Sequence, residues 1–532
     1  MSRTIAALVL SLVQVGICSA QDPATATARA SSASNNLFSP TVAPATEPMS
    51  TEFIRIGHRI ESVEPLSYLT SEQISPGIEL EQVPDEPNHT PEIDNSSTPL
   101  QAKIDNATGP PKADTAASAG GLSAKVNNGG LLLETASKDF KFHVGALIQQ
   151  DYAFFDQDPA LRVPPGGGVG PSGGIGDLQN AVFFRRGRLR FDGVAHELME
   201  WDFDCELLAN NNVSFDDMWV GLTQLPVVGN LRAGHVKIPM GIESVTSNRV
   251  FTFVERASLF DAFLPEYGPG FLAFDSYLDA RLVWAASLHR IDPNNNGTDF
   301  GAGQWNGTFR LTSLLFNSDD DRNYLHVGGA YSVRDDRGGV VRFRARPEWR
   351  DTTTVAALNN RFVDTGDILA SDYDLYQAEV AWVAGAFSAQ TEYIFANVNA
   401  VGGSQGFNGG YALVSYFLTG ESRPYDKRSG RFARLKPIEN FSLTRRCADR
   451  PLSVGGFGRG AWELAGRYSW VDLSSSDVPG GVLENITFGV NWYWNYNFRI
   501  QWNYIHSLRN AEVPGAISGE TDAFVMRLSF DM

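Results

Sequence analysis

The sequence predicts an all-β fold, a transmembrane antiparallel β-barrel of about 16 strands, preceded by a disordered N-terminal arm. Three observations predict it. Apolar and polar side chains alternate in segment after segment from Lys138 to Met532. The connections between these segments include both tight turns and long polar loops, as in outer-membrane barrels. The chain before Lys138 is too polar for a packed core. The predicted parts are residues 1–20, 21–137 and 138–532.

Residues 1–20 have the pattern of a secretory signal peptide. Arg3 supplies a positive charge, Ile5–Cys18 is apolar, and Cys18-Ser19-Ala20 resembles a small-residue cleavage site. We therefore expect cleavage after Ala20. No later stretch approaches the roughly 18 apolar residues that a membrane helix requires. An exported chain of this kind is either soluble or a barrel.

Residues 21–137 are predicted to be a low-complexity, acidic and disordered arm. The segment is rich in Ala, Ser, Thr, Pro and Glu, with 15 acidic and 6 basic residues. Low hydrophobicity combined with this charge argues against a compact domain. Only Phe53–Val83 has enough Ile, Leu and Tyr to indicate a short ordered piece. An envelope partner for the arm stays open.

Residues 138–532 contain 46 acidic and 36 basic residues, and this net negative charge argues against nucleic-acid binding. The basic residues are 31 arginines and only 5 lysines. Arginine offers a planar fork of donors for oxyanions, whereas lysine is a hydrated point charge. The spacing of Cys205 and Cys447 indicates no metal site. The arginine bias is the compositional clue to function.

The strand candidates follow from the period-2 alternation that marks half-buried strands. The clearest hairpin runs from Asn485 to Leu508, with Phe488 and Trp492 on one face and Asn491 on the other. Strands of about ten residues with aromatics near their ends suit an outer-membrane barrel. The candidates are 138–155, 181–195, 199–210, 213–225, 229–240, 271–290, 303–317, 323–334, 339–350, 371–384, 387–399, 408–421, 455–473, 482–495, 497–508 and 519–530.

One connection disagrees with the alternation of short turns and long loops. Glu421–Val454 is long, although the strand count places it on the short-turn side. Either two more strands lie there, around Phe432–Leu443, or the count is off.

Two candidate strands carry rows of arginine on one face. In the second strand, one face has Arg186, Arg188 and Arg190, and the other has Phe183, Arg185, Gly187, Leu189 and Phe191. In the ninth strand, one face has Arg342, Arg344 and Arg346, and the other has Val341, Phe343, Ala345 and Trp349. The third strand supplies the counter-charges Asp202, Asp204 and Glu206.

These rows are predicted to face a water-filled lumen. An arginine that faces lipid at the midplane costs about 2–4 kcal/mol, so we expect the apolar alternates, including Phe183 and Phe343, to face outward. The alternative is a solvated strand face in salt-bridge balance. The scarcity of lysine favours the lumen.

No catalytic constellation emerges from the motifs. Gly402–Gly406 matches the G-x-S-x-G elbow of serine hydrolases, but that motif requires a strand before it and a helix after it. Here it lies between two predicted strands. The histidines lack metal-ligand spacing. We therefore expect no enzyme activity, no metal and no cofactor.

Four segments carry a family resemblance. They are Phe184–Gly193, Gly234–Met240 continuing through Ser247–Arg256, Ser415–Glu421, and Gly460–Leu464 with Arg467-Tyr468-Ser469. In this order the chain resembles the phosphate-selective porins O and P of bacterial outer membranes. The resemblance implies a trimeric 16-stranded barrel whose third long loop folds inward, and basic side chains that pass phosphate. Arg185 and Arg186 match the family's arginine pair on the second strand.

The chain departs from this family at both ends. The family normally ends on an aromatic residue that the barrel-assembly machinery reads, whereas Asp531 and Met532 follow Phe530 here. The acidic arm is longer than the usual lead-in.

The favoured interpretation is a passive outer-membrane channel for small anions such as phosphate, embedded in outer-membrane lipid as a homotrimer. Loop 241–270 is the predicted constriction, although its Phe251–Phe253 portion could instead serve trimer contacts. The candidate pore-lining and anion-binding residues are Arg185, Arg186, Arg188, Arg190, Lys237, Arg249, Arg256, Arg342, Arg344 and Arg346. The alternatives are a general diffusion porin with balanced charge and an envelope-anchoring barrel that is not a channel.

Overall fold

The computed structural model describes residues 121–127, 129–164, 173–209, 212–290, 305–335, 339–351, 361–442, 458–511 and 516–532. The predicted signal peptide and the predicted arm up to residue 120 lie outside the described residues. No helix in the described ranges is long and apolar enough to cross a membrane.

Sixteen antiparallel strands form a closed barrel, as predicted. The barrel closes where the last strand pairs with the first, from Thr521 opposite Gln157 to Asp531 opposite Leu147. The wall strands are β3 (Phe140–Gln157), β4 (Ala181–Ala195), β5 (Met199–Ala209), β6 (Asn212–Leu225), β7 (Gly229–Lys237), β8 (Tyr267–Tyr277), β9 (Leu282–His289), β10 (Asn306–Asn317), β11 (Asn323–Asp335), β15 (Ile368–Ala384), β16 (Phe387–Ala400), β17 (Gly403–Phe417), β20 (Ala461–Ser475), β21 (Val478–Tyr493), β22 (Phe498–Asn510) and β23 (Gly519–Asp531).

The remaining strands are short and are not counted among the sixteen. They are β1 (Leu122–Asn127), β2 (Gly130–Thr135), β12 (Val340–Val341), β13 (Arg344–Ala345), β14 (Val363–Asp364), β18 (Tyr425–Asp426) and β19 (Arg431–Phe432).

The wall strands expose apolar side chains and bury polar ones. On β21, Phe488 is 59% exposed, whereas Asn485 and Asn491 are buried. On β22, Tyr504 is 41% exposed and Asn503 is buried. This is the reverse of a soluble protein and matches a barrel with lipid outside and polar groups inside. The predicted alternation of faces in this hairpin is confirmed.

The predicted count of 16 strands is right because two errors cancel. The candidate strand 271–290 is a hairpin, since β8 and β9 pair with each other from Gly270 opposite His289 to Tyr277 opposite Leu282. Its turn places Leu278, Asp279 and Ala280 at φ of 55°, 55° and 60°. Left-handed turn positions usually carry Gly or Asn, so no sequence signal marked this turn. The candidate strand 339–350 contains only β12 and β13 and is not a wall strand.

A hairpin of β1 and β2 precedes the wall, inside the range predicted as arm. β2 continues the sheet by pairing with β3, from Leu131 opposite Val144 to Glu134 opposite Lys141. The sheet therefore begins before residue 138. The apolar run Leu131-Leu132-Leu133 is the signal that the prediction passed over.

The connection between β7 and β8 folds into the barrel, as predicted. It contains a short helix (Ile242–Val245), a 3₁₀ turn (Asn248–Val250) and a second helix (Ser258–Phe263). It is hydrogen-bonded to β21 and β22. Asn491 Nδ2 donates to the Thr252 carbonyl at 2.8 Å, and the Val254 N–H donates to Asn503 Oδ1 at 2.8 Å. We call this connection the inward loop.

The connection between β11 and β15 packs on the inward loop, so the predicted orientation of its apolar face is wrong. Phe343 is buried, with its ring centroid 5.3 Å from that of Phe263 and 5.6 Å from that of Phe407. Trp349 is buried against Phe155, and the centroids of the two rings are 4.7 Å apart. Phe343 therefore faces the interior, because apolar alternation serves an inward-folded loop as well as a lipid-facing strand.

The connection between β17 and β20 enters the barrel from the short-turn side. Its strands β18 and β19 pair with each other and not with the wall. The Phe432 N–H donates to Thr246 Oγ1 of the inward loop at 3.3 Å, and Arg310 donates to the Gly430 carbonyl at 2.8 Å. The unusual length of this connection therefore serves an inward fold, and the 16-strand count stands. We call residues 418–442 the turn-side segment.

Candidate pore lining

Six arginines meet three carboxylates where the inward loop touches the wall. Glu255 of that loop accepts hydrogen bonds from Arg185 Nε at 2.7 Å and from Arg527 Nη2 at 3.0 Å. Arg186 and Arg350 approach the same carboxylate at 4.0 and 3.8 Å. Burial alone would raise the pKa of Glu255, but the surrounding arginines lower it well below its usual range. Glu255 therefore stays ionised.

Asp261 is the second carboxylate of this group. Arg346 Nε lies 3.3 Å and Arg350 Nη2 3.7 Å from its oxygens, and Arg361 also pairs with it. Burial would raise the pKa of Asp261, but these cations lower it. The third carboxylate is Asp151, which accepts two hydrogen bonds from Arg527, at 2.6 and 2.7 Å.

We call these nine residues the arginine cluster. Its members are Arg185, Arg186, Arg346, Arg350, Arg361, Arg527, Asp151, Glu255 and Asp261. Six cations against three anions leave a formal charge of +3. The side chains of Arg185 and Arg350 are 23% and 24% exposed, so part of the positive surface is open to solvent.

A bulge in β4 explains why Arg185 joins this cluster. Gln149 pairs with Arg186 while Gln150 pairs with Phe184, so one extra residue lies between them. Arg185 and Arg186 therefore both reach interior partners, and Phe184 is 57% exposed. Phe183 packs against the interior apolar cluster, contrary to its predicted outward position. A bulge shifts the alternation by one residue, and no sequence feature announced it.

Arg188 and Arg190 are matched by the predicted counter-charges. Arg188 Nε donates to Glu206 at 2.9 Å and also pairs with Asp204 and Asp216. Arg190 makes two hydrogen bonds to Asp202, at 3.0 and 2.7 Å. This part of the arginine row is therefore neutralised within the wall.

Lys237, Arg249 and Arg256 connect the inward loop to the wall. Lys237 Nζ and Arg256 Nη2 share Glu266, at 2.8 and 2.6 Å. Arg256 also donates to the Glu243 carbonyl at 3.2 Å and so fixes the loop backbone. Arg249 pairs with Asp531 at 2.6 Å and with Asp204 at 3.3 Å.

A cavity of about 240 Å³ lies between this loop and the wall, where Arg188, Arg190, Lys237 and Arg249 meet Asp202 and Asp204. Charges of both signs therefore line this side of the interior.

Arg342 and Arg344 do not form a row on the wall. Arg342 is paired with Asp364 at 2.8 and 2.6 Å and with Asp367 at 3.4 Å. Arg344 is exposed, and its backbone pairs with Asp364. Of the predicted second row, only Arg346 reaches the arginine cluster. The row was assigned to the wall because alternation alone does not distinguish a wall strand from a folded-in loop.

Sequence reasoning missed Arg350, Arg361 and Arg527. Arg527 could have been found, because it alternates with Phe524, Met526 and Leu528 on the last strand. Arg350 and Arg361 lie in a connection and have no periodic signal. Within the described part of the chain, no three His, Cys, Asp or Glu side chains are grouped as a metal site requires.

A closed barrel with an apolar exterior, a charged interior and loops folded inside has the architecture of an outer-membrane porin. The family model "Phosphate-selective porin O and P" matches residues 170–532. Porin O of Pseudomonas aeruginosa is 26% identical over 433 residues, covering 76% of this chain and 91% of that protein. An uncharacterized protein of Caulobacter vibrioides is 28% identical over 330 residues, covering 60% and 61%.

Among solved structures, the loop L8 deletion mutant of OmpT from Vibrio cholerae matches with a TM-score of 0.45 and 9% identity, covering 74% of this chain and 100% of that chain. The family match extends over more than half of the sequence. The chain belongs to the phosphate-selective porin O and P family, and it is a passive channel of the bacterial outer membrane, not an enzyme.

Proposed function

We propose that this porin conducts small anions and favours oxyanions such as phosphate. The observation that carries the proposal is the arginine cluster, in which three positive charges remain after every carboxylate is counted. Two of its arginines, Arg185 and Arg350, are about a quarter exposed. An anion that reaches them meets guanidinium groups whose carboxylate partners are outnumbered.

The chemistry of guanidinium explains the preference for oxyanions. Its planar donors form paired hydrogen bonds with phosphate or carboxylate oxygens and replace part of the anion's hydration shell. Glu255 and Asp261 are each shared among several arginines, so an incoming anion can supply acceptor oxygens that these guanidinium groups lack. Conduction also requires that the anion leaves, and spreading the sites along a path allows this. We further propose that the protein assembles as a homotrimer and that residues 1–20 are cleaved on export.

A general diffusion porin with balanced charge is the second candidate. The observation that favours it is the pairing of Arg188 and Arg190 with Asp202, Asp204 and Glu206. Charges that are paired between neighbouring strands leave this part of the lining without a net preference for anions. The two candidates differ in which group controls the selectivity of the narrowest part of the pore. In the anion channel it is the arginine cluster with its formal charge of +3, and in the general porin it is the neutralised pairs of Arg188 and Arg190.

Reversal potentials in planar bilayers separate the two candidates. A gradient of potassium chloride, and then of potassium phosphate, should give potentials of the sign expected for anion selectivity. Arg350→Gln removes an arginine shared by Glu255 and Asp261 and should reduce the potential. Arg322→Gln is the matched control, because Arg322 bonds the Gly420 carbonyl at 2.8 Å, away from the cluster. An unselective wild type would refute the anion channel, and equal effects of both variants would refute the arginine cluster as the source of its selectivity.

A further inference from the structure

The side chain of Asp531, one residue beyond the terminal aromatic Phe530, reaches the inside of the barrel. Phe530 is 41% exposed on the outer face, and Asp531 is buried at 5% on the inner one. Met532 continues the seam, with its N–H donating to the Ala146 carbonyl at 2.9 Å and its carbonyl accepting from Ala146 at 2.8 Å. The extension beyond the aromatic residue is therefore held in place and delivers a carboxylate to the interior.

Asp531 joins three separate parts of the protein. Its Oδ1 accepts from Arg249 Nη1 of the inward loop at 2.6 Å. Its other carboxylate oxygen pairs with Arg434 of the turn-side segment, and its carbonyl accepts from Arg434 Nη2 at 2.9 Å. The Arg434 guanidinium also lies 4.2 Å from the centre of the Tyr496 ring. One carboxylate therefore holds two arginines from two inward-folded connections.

These groups line an open cavity at the short-turn end of the barrel. It has a volume of about 320 Å³. Its cationic lining is Arg190, Arg249, Arg431 and Arg434, and its anionic lining includes Asp426 and Asp531. The arginines of this lining outnumber its aspartates, so the cavity presents a positive surface on the short-turn side, where an anion entering from the long loops would leave.

We propose that Asp531 is a specificity-determining residue at this exit, where it acts as a tethered competitor of the permeating oxyanion. The proposal rests on the function proposed above. A carboxylate offers guanidinium the same paired acceptor oxygens as phosphate does. While Asp531 occupies Arg249 and Arg434, a passing anion can bind them only by sharing or displacing it. The carboxylate thus weakens binding at the exit and speeds release.

Replacement of the carboxylate tests this directly. In the full chain, Asp531→Asn keeps the size of the side chain but removes its negative charge from both arginines. Inorganic phosphate should then block the chloride current at a concentration about 10-fold lower. The free energy of one hydrogen bond to a charged group corresponds to at least this change in affinity. The effect should be larger for phosphate added on the short-turn side. Asp531→Glu keeps the charge, so phosphate should block this variant at about the same concentration as the wild type.

A second variant covers the case in which the altered C-terminus prevents assembly. Arg434→Gln leaves the C-terminal residues intact and removes one exit cation, so phosphate block should weaken. Uptake of a neutral sugar serves as the readout of pore shape and should stay constant in both variants. A purely structural role would change sugar uptake and leave the phosphate block of assembled channels unaltered, which would overturn the proposal.

The phosphate block of the wild-type channel separates the exit role of Asp531 from the proposed function. A wild-type channel that shows neither anion selectivity nor phosphate block overturns the proposed function, and the exit role with it. A wild-type channel that phosphate blocks, with the same half-blocking concentration in Asp531→Asn and Arg434→Gln, overturns only the role of Asp531.

Discussion

Arg527 is the residue whose removal should most weaken the closure of the barrel. It lies directly opposite Asp151 in the pairing of the last strand with the first. Both side chains are 2% exposed, and they are joined by hydrogen bonds of 2.6 and 2.7 Å. Arg527 also donates to Glu255 at 3.0 Å and to the Val254 carbonyl. One side chain therefore fastens both the seam and the inward loop.

The expected cost follows from what Arg527→Leu leaves behind. Within the described residues, both hydrogen bonds to the Asp151 side chain come from Arg527. Glu255 keeps Arg185, Arg186 and Arg350, so the main loss falls on Asp151. Removing one partner of a buried ion pair costs about 3–5 kcal/mol, because the other charge is left uncompensated. Surface screening does not reduce this value, since neither side chain is exposed.

The assay is denaturant unfolding of the refolded barrel in detergent. Arg527→Leu should lower the free energy of unfolding by the full amount, whereas the double variant Arg527→Leu/Asp151→Leu should recover most of it. Lys125→Met is the control, because its pair with Glu134 spans 3.5 Å and Lys125 is 63% exposed. Such a pair contributes about 0–1 kcal/mol. The reasoning would be refuted if the double variant lost as much unfolding free energy as the two single variants lose together.

Three further predictions concern the inward loop and the β11–β15 connection that packs on it. Glu255→Gln removes an anion from the arginine cluster and should increase the anion-selective reversal potential. Because the pKa of Glu255 is lowered in the folded protein, the stability that its charge contributes is fully present above its unfolded pKa of about 4.3. The difference in unfolding free energy between this variant and the wild type should therefore stay constant from pH 7 to pH 5. It should shrink only on further acidification. Gly241 has φ of 85°, and an added Cβ would lie 2.5 Å from Glu392 Oε2. Gly241→Ala should therefore cost about 1–3 kcal/mol in unfolding experiments, and an unchanged stability would show that the loop start relaxes freely. Phe343→Ala removes a buried ring from the interior apolar cluster and should cost about 3–5 kcal/mol and raise single-channel conductance, whereas an unchanged conductance would separate this segment from the pore.

The periodicity of the sequence determined the barrel and the faces of many of its strands. Phe488 and Asn491 fall on opposite faces in any extended strand, because side chains alternate with a period of two residues. The contrast between lipid and water then decides which face is buried. This rule is local, so it could be read along β21 and β22 without knowledge of their partners. It also gave the inward positions of Arg186, Arg188 and Arg190.

The same rule failed where side chains alternate for another reason. Val341 and Phe343 alternate with arginines as lipid-facing residues would, but both belong to the interior apolar cluster, where Phe343 packs on Phe263 and Phe407. The bulge at Arg185 shifted the alternation without a sequence signal. The turn at Leu278–Ala280 adopts left-handed conformations without glycine or asparagine. The first two of these features are stabilised by neighbours that are distant in sequence.

The tertiary structure alone decided which charges meet. Arg527 reaches Glu255 across 272 positions of the chain, and Arg249 reaches Asp531 across 282. These pairs form because the inward loop and the turn-side segment fold into a barrel that the last strand closes. Sequence periodicity describes one strand at a time, whereas the excess of arginine over carboxylate at a site depends on several connections converging there. The sequence by itself therefore determined a barrel with basic residues facing inward, and only the fold decided which of those residues are neutralised and which remain for an anion.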